Sequence, residues 1–185
     1  MNNYEKAQRH MKAQLAGRSA RVNGAIFEDM LKRSCDYYLE RGEAKIEKTP
    51  EPMKPLGGQN SRGQFLACYT KQAQPDYGGT VKGGQSIYFE AKHTETDRIE
   101  WGRLTEEQRA DLEDHYKLGA LAYVLVSFGF TEFYRIPWPV WRDMKELFGH
   151  KHIKKTEIAK YRVPAVGGII KFLASQTPEN KEAEK

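Results

Sequence analysis

Residues 86–92 read SIYFEAK and have the alternation of a half-buried β-strand. Because side chains alternate across a strand, the apolar Ile87 and Phe89 share one face. Glu90 and Lys92 share the opposite face, about 7 Å apart along the strand. Taken alone, a carboxylate and an ammonium placed in this way are typical of a solvent-facing ion pair, which contributes little to stability.

A second carboxylate, Asp76, lies fourteen residues before Glu90, where a preceding strand is predicted to begin. A hairpin centred on Gly83 places Asp76 opposite Glu90, so that the two carboxylates could hold one hard divalent cation through oxygen ligands. A hairpin centred half a residue later places Asp76 opposite Ala91 instead, on the wrong face. A three-residue loop at 82–84 with a bulge gives the first register.

The flanking segments predict an α/β fold. Helices are predicted over 21–41, 105–118 and 139–149, and strands over 44–48, 76–81, 85–93, 121–128 and 131–136. The continuous apolar run 121–128 is predicted to be buried on both faces. This order of elements indicates a mixed central β-sheet flanked by helices, with a segment at about 49–75 projecting from it.

The composition fits one compact domain. The chain has 185 residues, 39% of them hydrophobic, and a net charge of +5, which allows a core beneath a charged surface. Its longest apolar run is too short to span a bilayer and no signal segment opens it, so a cytoplasmic protein with no membrane partner is expected. Two distant cysteines, Cys35 and Cys68, argue against a disulfide scaffold and a cysteine-based zinc site.

The N-terminal segment is strongly basic. Its cations are Lys6, Arg9, Lys12, Arg18 and Arg21, against the single acid Glu5. Such a segment can contribute to a phosphate-binding face, and a solvated surface is the alternative. We expect a basic flexible arm over 1–20, a single domain over 21–175 and a flexible tail over 176–185.

Several segments together resemble the RecU family of Holliday junction resolvases, within the PD-(D/E)xK nuclease superfamily. They are residues 24–29 (GAIFED), 37–39 (YYL), 48–50 (KTP), 76–79 (DYGG) and 88–92 (YFEAK), with Gln108 in the following helix. The likeness runs from about residue 23 to about residue 133. The acidic residues and the lysine alone are an unspecific pattern, but the FEAK strand combined with the glutamate-bearing helix and the proline-flanked stalk is considerably more specific.

The resemblance implies a restriction-endonuclease-like core that resolves four-way DNA junctions by paired symmetric incisions in recombination and repair. It implies that Asp76 and Glu90 hold Mg²⁺, with Mn²⁺ able to substitute, and that Lys92 orients or deprotonates the attacking water or neutralises charge at the phosphate. It also implies a homodimer, association with the nucleoid, and a recombinase or branch-migration protein as a partner. A nicking or repair endonuclease of the same superfamily and a non-catalytic junction-binding protein are the alternatives.

Glu28 and Gln108 are further catalytic candidates, each with two interpretations. Glu28 shares a helix face with the apolar Leu31 and Cys35, so it either contributes to the metal site through water or reaches solvent at the edge of that stripe. Gln108 follows Thr105 by three residues, which is the spacing of a helix capping box. It could equally point inward to the site.

The projecting segment is expected to contact DNA. Four prolines exclude a regular helix from it, and its aromatic residues flanked by cations suit a junction centre, where base stacking is interrupted. The alternative is that Phe65, Leu66 and Tyr69 close a small satellite core. Over the whole chain, the residues predicted to contact DNA are Arg18, Arg21, Lys54, Arg62, Phe65, Tyr69, Lys71 and Lys82.

Three features depart from the family pattern. Pro75 stands before the aspartate where a threonine is expected, Asn23 stands where an arginine is expected, and the stalk is a few residues shorter. A phage-encoded member of the family, acting in the host cytoplasm, is one explanation of these departures.

Overall fold

The computed structural model describes residues 3–50, 52–69 and 74–174, with side chains described for 17–50, 52–68 and 74–174. The helices are α1 (Asn3–Glu40), α2 (Glu106–Lys117), α3 (Trp138–Arg142) and α4 (Met144–Phe148), with 3-10 helices at Trp101–Arg103 and Lys155–Tyr161. The strands are β1 (Ala44–Lys48), β2 (Met53–Pro55), β3 (Ala67–Tyr69), β4 (Tyr77–Val81), β5 (Ser86–Thr94), β6 (Arg98–Glu100), β7 (Leu121–Phe128), β8 (Glu132–Pro137), β9 (His152–Lys154), β10 (Arg162–Val163), β11 (Ala165–Val166) and β12 (Ile169–Ile170).

A six-stranded mixed sheet forms the centre of the molecule, in the order β1-β4-β5-β7-β8-β10. Strands β5 and β7 are parallel, and the other neighbouring pairs are antiparallel. Residues 122–128 of β7 are all buried, as the continuous apolar run predicts. The predicted fold class, a mixed central sheet flanked by helices, is confirmed.

The two faces of the sheet are covered by different helices. On one face, Phe27 and Leu31 of α1 pack with Phe89 of β5 in one buried cluster. On the other face, Leu112 of α2 and Val124 of β7 belong to a second cluster. Because Glu90 follows Phe89 in an alternating strand, its side chain points to the α2 face. This separation decides which candidate residues can meet.

The first helix is longer than predicted, since α1 begins at Asn3 and not at residue 21. Residues 3–20 contain several alanine, lysine, glutamine and arginine residues, which are good helix formers and extend the helix backwards. The mobility of residues 1–20 stays a prediction. The predicted tail at 176–185 lies outside the described residues.

The C-terminal third contains elements that periodicity did not predict. The helix predicted over 139–149 is divided at Asp143 into α3 and α4. Strands β6 and β9 to β12 have only two or three residues each, too few for a hydrophobic period to be recognised. Within the part of the chain that the structure describes, no helix is both long and apolar enough to cross a membrane.

Candidate active site

The β4–β5 hairpin has the register that brings the two carboxylates together. Tyr77 pairs with Phe89 across the hairpin, so the turn is centred on Gly83 and Asp76 falls opposite Glu90. The backbone N–H of Gly84 donates to the carbonyl of Val81 at 3.0 Å. The turn requires a φ of +98° at Gly83 and +90° at Gly84, a conformation that glycine adopts without strain. The glycine pair therefore allows the turn that places Asp76 opposite Glu90.

Asp76, Glu90 and Lys92 form one compact cluster at the start of β4 and the middle of β5. The Nζ of Lys92 lies 2.7 Å from Oε2 of Glu90 and 3.5 Å from Oδ2 of Asp76. The backbone N–H of Ala91 donates to the same Asp76 oxygen at 3.0 Å. The Glu90 side chain is fully buried, whereas that of Asp76 is 27% exposed. The cluster is thus open to solvent on the Asp76 side.

Gln108 fulfils both of the roles considered for it. Its Oε1 accepts a hydrogen bond from the backbone N–H of Thr105 at 3.1 Å, and its own N–H donates to the Thr105 hydroxyl at 3.2 Å. This is a complete capping box at the start of α2. Because Oε1 is used by the cap, Nε2 is free to face the site and donates to Oε2 of Glu90 at 2.7 Å.

The environment of Glu90 is costly for a charged carboxylate. Burial, followed by the nearby charge of Asp76, raises its pKa to about 8, although Lys92 opposes that shift. Lys92 and Gln108 both contact Oε2, while Oε1 is buried and has no hydrogen-bond partner among the described residues. A buried oxygen without a partner is a candidate ligand atom, since such atoms are normally satisfied.

Glu28 lies apart from the cluster. It belongs to α1, which covers the opposite face of the sheet, and its carboxylate pairs with the ammonium group of Lys48 at 2.6 Å. It lines a cavity of about 130 Å³ together with Asp76, so it approaches the site only around the edge of the sheet. Within the described residues, no three acidic, histidine or cysteine side chains form a metal-binding group.

The residues present nevertheless fit a hard divalent cation. Mg²⁺ typically binds through one or two carboxylates, completing its coordination with water and substrate phosphate oxygens. The unpartnered Oε1 of Glu90 and the half-buried carboxylate of Asp76 provide such a pair. The ammonium group of Lys92 contacts Oε2 of Glu90 and Oδ2 of Asp76 and so links the two side chains.

The predicted DNA-contacting residues are distributed over separate surfaces. Arg18 and Arg21 are exposed on α1, and Lys82 is exposed in the β4–β5 turn. Lys54, Arg62 and Phe65 are exposed on the hairpin formed by β2 and β3. Tyr69 is paired with Met53 through its backbone, and Lys71 lies outside the described residues.

A polar network beside the cluster was not predicted. His93 lies 3.1 Å from the Ser127 hydroxyl through Nδ1 and 2.8 Å from Oε1 of Glu95 through Nε2. The side-chain amide of Asn23 donates to the same Glu95 oxygen at 2.8 Å and links α1 to β5. Glu95 is only two residues from His93, but Ser127 is 34 residues away and Asn23 is 72 residues from Glu95, so local sequence does not reveal the whole network.

Comparisons with known proteins identify the family of this chain. A family model described as Recombination protein U matches residues 22–175. The Holliday junction resolvase RecU of Streptococcus gordonii is 32% identical over 122 residues, covering 63% of this chain and 60% of that protein. The same protein of Lactococcus lactis is 33% identical over 120 residues, covering 62% of this chain and 56% of that protein.

The solved structures similar to this chain include that of the Holliday junction resolvase Hjc of Archaeoglobus fulgidus, with a TM-score of 0.42 and 14% identity over 67% of this chain and 87% of that chain. The chain spans less than two thirds of the length of the curated relatives described above. The family model, in contrast, matches most of the present chain. This chain therefore belongs to the Recombination protein U family.

Proposed function

We propose that the chain is a divalent-metal-dependent DNA endonuclease that resolves four-way junctions by paired symmetric incisions. The observation that carries the proposal is the Asp76–Glu90–Lys92 cluster, in which two carboxylates and an ammonium group meet on facing strands. Family membership supports it, because the relatives described above are named Holliday junction resolvases.

Asp76 and Glu90 are the residues that would hold the cation, Mg²⁺ or Mn²⁺, through Oε1 of Glu90 and the carboxylate of Asp76. A cation bound there supplies charge stabilisation to the phosphate and to the leaving 3′ oxygen. The hydrogen bond from Gln108 to Oε2 fixes the orientation of Glu90 and leaves Oε1 without a hydrogen-bond partner among the described residues. Glu28 would contribute only through water.

Lys92 would act on the water that attacks the phosphorus atom. Its side chain is 15% exposed and its ammonium group contacts both carboxylates, so it can hold a water molecule or place positive charge beside the phosphate. Attack of that water breaks the bond to the 3′ oxygen, which leaves a free hydroxyl on one strand end and a phosphate on the other.

The exposed cations and aromatic residues of α1, the β2–β3 hairpin and the β4–β5 turn would bind the junction. Arg18, Arg21 and Lys82 suit phosphate contacts, and Phe65 at the projecting hairpin suits stacking on an exposed base. Paired incision of two strands requires two active sites, and a homodimer acting in the cytoplasm provides them.

One assay tests the proposal against its alternatives. Labelled four-way junction, duplex and flap DNA are incubated with the protein with and without Mg²⁺, and the products are separated on a denaturing gel. Symmetric, Mg²⁺-dependent cutting of the junction supports a resolvase. Cutting of duplex or flap DNA in preference to the junction indicates another nuclease of the superfamily, and binding without cutting indicates a junction-binding protein.

A further inference from the structure

The segment between β5 and α2 carries a surface that the sequence analysis did not assign. Strands β6 and β9 pair through Ile99 and Ile153, which are both buried. The backbone N–H of Trp101 then donates to the carbonyl of Lys151 at 2.9 Å. This pairing anchors the 3-10 helix Trp101–Arg103 against the core and places Lys151 beside it.

Trp101 lies between two cations. The guanidinium carbon of Arg109 is 3.8 Å from the Trp101 ring centroid, and Nζ of Lys151 is 5.0 Å from it. Trp101 is only half-buried, whereas Trp138 and Trp141 are buried in the core. Contact with an aromatic face stabilises a cation but does not neutralise its charge, so the positive charge of this group remains available to a partner.

Arg103 extends the group toward the candidate active site. Its guanidinium donates to the carbonyl of His93 at 3.2 Å, and the residue lines a cleft of about 410 Å³ together with Lys92 and Asn23. On the other side, Arg109 directly follows Gln108, whose amide contacts Glu90. The four residues Trp101, Arg103, Arg109 and Lys151, here called the tryptophan surface, thus begin beside the carboxylate cluster.

The charge of the tryptophan surface is uncompensated. Arg103 and Arg109 donate to backbone carbonyls, and Lys151 is directed at the indole ring. Within the part of the chain that the structure describes, none of the three cations forms an ion pair with a carboxylate. The three cations could contact successive phosphates of a DNA strand, and the half-exposed aromatic ring between them could stack on a base.

We propose that the tryptophan surface binds the sugar–phosphate backbone of the DNA arm adjacent to the cleavage site, with Trp101 against a sugar or base. This inference rests on the proposed function and extends it, because it assigns DNA contact to residues outside α1, the projecting hairpin and the β4–β5 turn. A DNA strand that is held on both sides of the carboxylate cluster would keep the phosphate to be cleaved at the cluster.

Fluorescence of Trp101 provides a direct test. The chain has three tryptophan residues, and only Trp101 is accessible to the anionic quencher iodide because the other two are buried. Titration with iodide is carried out with and without saturating four-way junction in EDTA, where cleavage is blocked, and anisotropy of labelled junction confirms binding. We expect bound DNA to remove most of the iodide quenching. Trp101→Phe should abolish the quenching itself, which assigns the signal.

The salt dependence of junction binding provides a second readout. Arg103→Ala and Lys151→Ala should each lower the slope of log K against log salt by about 0.9, the contribution of one phosphate contact. Lys171→Ala is the matched control, since Nζ of Lys171 lies over the Tyr37 ring at 3.2 Å on the α1 side of the sheet. Its slope should equal that of the unmodified protein.

Unchanged iodide quenching in the bound complex, or unchanged slopes for both variants, would overturn the inference. Protection of Trp101 on a junction that is never cut in Mg²⁺ would leave the tryptophan surface standing while the nuclease proposal fails. Normal cutting without protection would remove the tryptophan surface alone. Failure of the protein to bind any DNA would remove both.

Discussion

Two neighbouring hairpins, one on each side of Pro75, differ sharply in how they are stabilised. In the β4–β5 hairpin, Tyr77 stacks on Phe89 with ring centroids 4.9 Å apart, and Phe89 stacks on Tyr123 at the same separation. A Cβ on Gly79 would lie 2.0 Å from the carbonyl oxygen of Lys45, so even the backbone is closely packed. This hairpin holds the carboxylates in fixed positions because the core surrounds it.

The β2–β3 hairpin has the opposite character. Its apolar side chains Leu56, Phe65 and Leu66 are 61%, 47% and 78% exposed, so Phe65 and Leu66 do not close the satellite core considered as an alternative. The hairpin is connected to the β4–β5 hairpin at its base, where the Thr49 hydroxyl donates to the Pro75 carbonyl at 2.6 Å. Exposed apolar residues clustered on a projection are typical of an interaction site. The proposed function therefore assigns the chemistry to the hairpin that the core holds rigidly, and DNA contact to the hairpin whose apolar side chains are exposed.

The largest expected effect is a loss of DNA cleavage when the carboxylate cluster of the β4–β5 hairpin is changed. Asp76→Asn, Glu90→Gln and Lys92→Ala should each slow junction cleavage by about 100-fold or more, because each removes a charged group at the reacting phosphate. Junction affinity should change little, since binding depends mainly on other surfaces. Single-turnover cleavage in Mg²⁺ measures the first quantity and anisotropy of labelled junction the second.

Lys45→Ala is the control for Lys92→Ala, because Lys45 lies on the neighbouring β1 strand and its side chain is 66% exposed beside Glu47. It should cleave at the normal rate. Near-normal, Mg²⁺-dependent cutting by any two of the three cluster variants would contradict the assignment of the site.

The second expected effect is a loss of the preference for junction over duplex DNA when the projecting β2–β3 hairpin is changed. Replacing residues 55–64 with a short Gly-Ser linker should leave the fold and cleavage chemistry intact but remove the preference for junction over duplex. Phe65→Ala alone should weaken junction binding by about 1–3 kcal/mol if one base stacks on it. Competition of unlabelled duplex against labelled junction measures the preference.

Leu66→Ala is the matched control for Phe65→Ala, since Leu66 is the adjacent and more exposed apolar residue but has no aromatic face. A deletion variant that keeps its native circular dichroism spectrum and an unaltered junction preference would show that the projection is structural.

The two hairpins also differ in how far the sequence predicts them. The alternation of residues 86–92 predicts the two faces of β5 but leaves two hairpin registers open. The structure has the register centred on Gly83, whereas the other would place Asp76 opposite Ala91, on the wrong face. The position of Glu28 was harder to predict, since a helix stripe does not reveal which face of the sheet it will cover. Its pairing with Lys48 depends on the packing of α1 over β1.

The network of His93 and the tryptophan surface could not be predicted from local pattern. Ser127 is 34 residues from His93, and Lys151 is brought to Trp101 only by the β6–β9 pairing. Such contacts depend on the tertiary fold, which periodicity in short segments does not encode. The dual role of Gln108 is only partly predictable from sequence. Its capping role follows from its spacing after Thr105, but its contact with Glu90 depends on the packing of α2 on the sheet.

The third expected effect is a pH dependence of stability that belongs to the buried hairpin. Burial raises the pKa of Glu90 from 4.5 to about 8, so between these values the folded protein holds a proton that the unfolded chain releases. Without metal, the contribution of Glu90 to the free energy of unfolding is therefore fully present below about pH 4.5. It is lost as the pH rises toward 8, at up to about 1.4 kcal/mol per pH unit.

Urea unfolding of the metal-free protein and of Glu90→Gln at several pH values measures this effect. The variant has no titrating group at this position, so its stability relative to the unmodified protein should increase steadily from pH 5 to 8. A constant difference between the two proteins over this range would mean that Glu90 is ionised in the fold. Added Mg²⁺ should reduce the difference, because cation binding favours the ionised carboxylate.

The smallest expected effect separates capping from chemistry at the start of α2. Thr105→Ala removes the hydroxyl that accepts the Gln108 backbone N–H and should destabilise the fold by about 1 kcal/mol. Its cleavage rate should stay near normal, because the Gln108 amide can still bond the backbone of residue 105 and Glu90. Gln108→Ala loses the reciprocal half of the cap and also the contact with Glu90, so it should lose stability and cleavage together. Thermal unfolding and single-turnover cleavage of the two variants, measured in parallel, make the distinction. Equal loss of cleavage in both would mean that the cap itself positions the site, and normal cleavage in both would mean that Glu90 is oriented by Lys92 without help from α2.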